Sequence, residues 1–96
     1  MTPISLFKSS VSRKVLEHFF SHPEESLYVN EIARSLGLDK RNLVKKLREF
    51  ETAGLLKKEP RGNLRLYSVN MQYPLYNEYR RIVLASAGAV REAAAV

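Results

Sequence analysis

"SLGLDKRNLVKKLREFETAG", residues 35–54, sets five basic side chains into a stretch that also carries a helical row of apolar residues. Leu43, Leu47 and Phe50 stand at i, i+4 and i+7, the spacing of one buried helix face. Asp39 is a good N-cap immediately before Lys40, and Gly54 suits the residue that ends a helix, so the spacing predicts a helix from Lys40 to about Ala53. Just upstream, Asn30 suits the cap of a brief helix that buries Ile32, Ala33 and Leu36 and is ended by Gly37. Two helices joined by about three residues have the helix-turn-helix spacing.

The basic residues of the longer helix lie away from its apolar row. With Leu43 at the centre of the buried side, Arg41, Lys45 and Arg48 fall within about 40° of the opposite pole. Asn42 and Lys40 sit on the flanks, and Val44 at the edge of the exposed arc. The charge is also concentrated along the chain. Between Arg34 and Arg65 ten basic residues face four acids, while the remaining positions carry six of each, so the whole net charge of +6 comes from this segment. A localised positive field is what a binding footprint for a polyanion requires, whether nucleic acid or an acidic membrane.

Outside this segment, Val11, Val15, Leu16, Phe19 and Phe20 form the stripe of an amphipathic helix over 11–21 that stops before Pro23. "SHPEES" is a polar break, and "SLYV" a short β-prone run. After Gly54, "LLKKE" and "LRLYSV" read as two strands of a hairpin, with "PRGN" between them as a basic tip. Pro74 fits the first turn of a last helix running to about Ala94, with Leu75, Tyr79, Ile82, Val83 and Val90 along one side. The expected fold is mainly α with a small β-hairpin: a three-helix core in residues 1–73, then a C-terminal helix in 74–96 that dimerises or links to a partner domain.

At 96 residues with 45% hydrophobic content, the chain suits one small domain with a modest core. It has no cysteine, which excludes disulfides, thiolate metal sites and cysteine nucleophiles. The N-terminal stretch "MTPISLFKSSVSRK" has no apolar signal core, and no run approaches the roughly 20 apolar residues of a membrane span, so a soluble, cytoplasmic protein without membrane contact is expected.

The order helix, short strand, helix-turn-helix, hairpin, long helix makes a likeness specific. "VNEIARSLGLDKRNLVKKLREFETAGLLKKEPRGNLRLYSVN" resembles the winged helix-turn-helix of ArsR-like and MarR-like prokaryotic transcription regulators. In that likeness "EIARSLGL" is the support helix and turn, "DKRNLVKKLREFETAGLL" the recognition helix, and "KKEPRGNLRLYSV" the wing. The resemblance implies sequence-specific binding of double-stranded DNA, with the wing reaching a neighbouring groove or the backbone. The flanks "SLFKSSVSRKVLEHFF" and "YPLYNEYRRIVLASAG" also resemble a prokaryotic subgroup in which this module precedes a minimal nucleotidyltransferase domain, which makes such a domain a candidate partner. The glycine-serine and paired-aspartate signature of that activity is absent from this sequence, so the activity is not carried over, and the alternative to a DNA-binding regulator is a non-catalytic winged-helix adaptor for such a domain or another protein partner.

A DNA major groove admits an α-helix, where Arg or Lys pairs with guanine and Asn with adenine. Because the N-terminal part of a recognition helix usually meets base edges, Arg41, Asn42 and Lys45 are assigned to base readout and Val44 to a thymine methyl. Lys40, Lys46 and Arg48 are assigned to phosphates, and Lys57, Lys58, Arg61, Asn63 and Arg65 form the basic wing. The competing account of the helix alone is a solvated face, and the second basic element in the wing is what tells against it. The expected assembly is a homodimer through Leu75, Tyr79, Ile82, Val83 and Val90.

Other constellations are weaker. His18 and His22 stand four apart on the first helix, but the sequence offers no evident third ligand, and no metal or cofactor is assigned. The cysteine-containing metal-sensing motif of arsenic-type sensors is missing from "NEIARS". Tyr67, Tyr73, Tyr76 and Tyr79 are read as core or interface packing rather than an aromatic box. The serines at 5, 9, 10 and 12 have no histidine and acid in a hydrolase pattern, and Glu24 with Glu25 lies in a polar loop, so no enzymatic activity is expected.

Overall fold

A computed structural model of the protein describes residues 10–95 along the backbone and side chains up to residue 85. Its elements are α1 (Ser10–Ser21), β1 (Ser26–Tyr28), α2 (Val29–Leu36), α3 (Lys40–Ala53), β2 (Leu56–Arg61), β3 (Leu64–Val69) and α4 (Tyr76–Ala95). No helix among the described residues is long and apolar enough to cross a membrane.

α1 buries Val15, Leu16, Phe19 and Phe20 on one side, and these meet Ile32 of α2 and Leu43, Leu47 and Phe50 of α3 in a single core. α3 has the expected limits. The Asp39 carboxylate accepts the Asn42 backbone N–H at 3.2 Å, relieving one of the first-turn donors that have no partner within the helix. At the other end Gly54 turns left-handed with φ 92°, and the following Leu55 N–H returns to the Phe50 carbonyl at 2.9 Å. The turn between α2 and α3 is built in the same way. Gly37 sits at φ 63°, and Leu38 N–H bonds to the Ala33 carbonyl at 3.0 Å.

Three details differ from the sequence reading. α2 begins one residue before Asn30, with Tyr28 at the cap position, because the Glu31 carboxylate reaches back to accept the Tyr28 N–H at 2.8 Å. The hairpin turn narrows to Gly62 and Asn63: Pro60 and Arg61 are still in β2, opposite Arg65 and Leu64. Gly62 has φ 62°, the left-handed value a two-residue turn needs at its first central position. Pro60 is tolerated because β2 is an edge strand. Third, Pro74 lies in the turn ahead of α4, which starts at Tyr76.

The sheet has three antiparallel strands in the order β1-β3-β2, so the short run before α2 is a strand that pairs along β3 through Ser26–Ser68, Leu27–Tyr67 and Tyr28–Leu66. That pairing ties the start of α2 to the hairpin. α4 packs back on α1: Tyr79 and Val83 are buried in the core, and Arg80 Nε donates to the Phe20 carbonyl at 3.3 Å, satisfying an acceptor near the end of α1.

Candidate nucleic-acid interface

Burial of Leu43, Leu47 and Phe50 fixes the rotation of α3 and turns Arg41, Asn42, Lys45 and Arg48 outward, all four exposed. Arg41, Lys45, Arg48 and Thr52 follow one another along a shallow open concavity whose floor includes Val44. Val44 is half-buried, as its position at the edge of the arc requires. Lys46 stands apart: it is half-buried and its ammonium lies 3.2 Å from the Glu49 carboxylate on the helix flank.

The wing does not present its cations on one side. Residues directly opposite in an antiparallel pair share a face, so Lys58 with Tyr67 and Pro60 with Arg65 form one face, while Lys57 with Ser68 and Arg61 with Leu64 form the other. Tyr67 and Val69 are buried, which identifies the first face as the one laid against the helices. The Lys58 ammonium accordingly lies 3.4 Å from Glu51 of α3. Arg61 is exposed at the tip, 3.3 Å from Glu59.

Tyr67 of β3 lies within the electrostatic reach of Arg48 of α3 and Arg65 of its own strand. Burial raises the pKa of that phenol above its ordinary value, and the Glu51 carboxylate adds to the effect, while Arg65 and Arg48 oppose it. Charges on both α3 and the hairpin thus act on one buried tyrosine.

A second groove shows how the elements come together. Its walls are Tyr28, Val29, Asn30 and Glu31 at the start of α2, Lys40 and Val44 on α3, and Asn63, Leu64 and Arg65 at the hairpin. The first turn of α2 carries backbone N–H groups without helical partners, a local environment suited to an anion. Tyr28 and Asn30 at this groove were not among the DNA-contacting residues read from sequence, because it is the β1–β3 pairing that carries the start of α2 to the wing. The short β-prone "SLYV" was the available signal.

Leu75, just ahead of α4, and Ile82 on it are exposed, at 45% and 38%, whereas Tyr79 and Val83 are buried in the chain's own core. Val90 lies outside the residues whose side chains are described.

No protein-family model matches the sequence, and no curated protein matches it. Solved structures do match in fold. The AntR antimony-specific transcriptional repressor superposes with a TM-score of 0.73 at 16% identity over 98% of this chain and 78% of its own. Rv0081 of M. tuberculosis gives a TM-score of 0.67 at 20% identity over 98% of this chain and 90% of its own. A possible transcriptional regulator from Methanosarcina mazei gives 0.66 at 15% identity over 94% and 78% of the two chains. With its helix-turn-helix, three-stranded sheet and flanking helices, the chain has the winged helix-turn-helix fold of such transcriptional regulators.

Proposed function

We propose that this protein is a transcriptional regulator that binds double-stranded DNA in a sequence-specific way, with α3 in the major groove and the wing on the backbone or in the adjacent minor groove. The observation that carries this reading is the groove lined by both Lys40 of α3 and Arg65 of the wing, inside the segment that holds all of the chain's excess positive charge. An α-helix with side chains is about 10–12 Å across and matches the roughly 12 Å width of the major groove. Arg41, Asn42 and Lys45 read base edges. Lys40, Arg48, Arg65 and the outward-facing Lys57 and Arg61 hold phosphates. Lys46 and Lys58, each engaged by a carboxylate and with side chains only about one-third exposed, contribute less than Arg61, whose pair with Glu59 is more open to solvent. The AntR likeness, a repressor by its description, supports regulation of transcription.

The active form is a homodimer in which Leu75, just ahead of α4, and Ile82 of α4 meet their twofold equivalents, since a pair of recognition helices reads half-sites about one DNA turn apart. A mobility-shift assay on genomic fragments at several salt concentrations tests the proposal. Neutralising roughly five to eight phosphates gives a slope of log affinity against log salt of about −4 to −7. Binding that does not respond to salt, or shows no preference among fragments, overturns it.

A further inference from the structure

We propose that His18, His22 and Glu25 form a binding site for one divalent first-row transition-metal ion of the zinc class. The site stands apart from the DNA-binding reading and does not depend on it. Among the described residues these three bring one ligand atom each to within 4.8 Å of the others.

The backbone prepares this arrangement. A separation of four residues puts both histidines on one side of the end of α1, with ring centroids 4.8 Å apart and the planes tilted by only 30°. His22 then opens a tight turn: the Glu25 N–H donates to the His22 carbonyl at 3.0 Å, and Pro23 occupies the second position, where its fixed φ suits such a turn. The turn carries the Glu25 side chain back over the helix end, where its Oε2 lies 2.8 Å from His18 Nε2.

The tautomers also fit. His22 Nδ1 is 3.1 Å from the His18 carbonyl oxygen, and only a protonated ring nitrogen can donate to a carbonyl. Nδ1 therefore carries the proton and Nε2 keeps its lone pair free. Metal-bound histidines are held by this same device, the second ring nitrogen donating to a carbonyl or carboxylate. At His18 the metal takes the position of the Nε2 proton shared with Glu25; a doubly protonated ring releases that proton to solvent, and a neutral ring carries it at Nδ1 instead, so the bound imidazole stays neutral.

Ligands around a tetrahedral zinc at about 2.0–2.1 Å stand roughly 3.4 Å apart. Rotations of the exposed His22 ring and the partly exposed Glu25 side chain close the remaining gap. A simple His18–Glu25 ion pair needs neither the His22 ring beside His18 nor its anchored tautomer. Two imidazoles and one carboxylate suit zinc, nickel or copper and not magnesium or calcium, which take all-oxygen shells. Three protein ligands leave a coordination position for water. The ion would join the end of α1 to the residue just before β1, whose Ser26 pairs with Ser68 of β3.

The test titrates the untagged full chain with zinc, following metal uptake by calorimetry and the ring nitrogens by NMR. The chain has only two histidines, so both signals are assignable. The expected result is one zinc per chain, both Nε2 atoms shifting together by one equivalent, and a melting temperature raised by zinc but not by magnesium or calcium. His22→Gln and Glu25→Gln, at accessible positions, should fold and each weaken zinc binding at least about tenfold. Absence of stoichiometric binding, a response from only one ring, or variants that bind zinc as the wild type does would each overturn the site.

Discussion

The ammonium of Lys58 on the wing lies 3.4 Å from the carboxylate of Glu51 on α3. This pair joins the two proposed DNA-contacting elements and at the same time partly neutralises one of the wing's cations. Glu51→Gln should release Lys58 and remove a negative charge from the interface. DNA affinity should then rise by a factor of roughly two to five for all sequences alike, in line with the ~0.2–1 kcal/mol of an exposed pair. Fluorescence anisotropy with a specific and an unrelated duplex measures it, and a loss of affinity on both would show that the pair orders the wing instead.

Arg41 and the outward wing cations should separate in their effects. Arg41→Ala should lose about 1–3 kcal/mol of specific binding and relax the base preference. Lys57→Ala or Arg61→Ala should weaken binding to all duplexes and reduce the salt slope by about one. Selection of preferred sequences with each variant checks this; an unchanged motif for Arg41→Ala would refute the placement of α3 in the major groove.

Phe19 is fully buried between α1 and the rest of the core. Phe19→Ala should cost ~3–5 kcal/mol, a large share of the ~5–15 kcal/mol available to a small domain. Urea denaturation followed by circular dichroism gives the value, and a cost below about 1 kcal/mol would contradict the observed packing.

Tyr67 predicts the alkaline behaviour. Its folded pKa lies above the ordinary 10.0, from burial first and the Glu51 carboxylate second. The folded chain therefore holds this proton where the unfolded chain has released it. The resulting stability is fully present below the unfolded value and is lost as the pH rises through the folded one. Denaturation midpoints should fall above about pH 10, and Tyr67→Phe should make that fall shallower. Glu51→Gln should lower the pKa of Tyr67, so that the phenol ionises at lower pH, seen by ultraviolet absorbance titration.

Ile82 tests the assembly. Because it is exposed while Tyr79 and Val83 are buried in the same helix, Ile82→Glu should leave the fold intact and dissociate the dimer. Sedimentation of both proteins decides this, and monomers in each case, with equal DNA affinity, would remove the dimer.

Much of the fold was legible because its signals are local. The Asp39 cap, the left-handed Gly37 and Gly54, and the spacing of Leu43, Leu47 and Phe50 define α3 within a few neighbouring residues, and that is how α3 runs. The rotation of α3 follows from the same spacing, so the exposed cations on it could be named from sequence. Position 30 was less legible, since the Glu31 carboxylate moves the cap to Tyr28 and the helix start to Val29 by a bond that composition does not reveal.

What tertiary structure alone decided depends on residues far apart in the chain. The pairing of β1 with β3 makes the sheet three-stranded and brings Asn30 beside the wing. Strand register sends Lys58 and Arg65 to the helix side, and Lys57 and Arg61 away from it, although all four look alike as basic residues in a row. The α1–α4 packing claims Tyr79 and Val83 for the core and leaves Ile82 outside, a choice that one apolar helix stripe does not contain because it does not say which neighbour arrives first. Sequence determines which faces are apolar and where charge collects; only the assembled chain determines which partner each face meets.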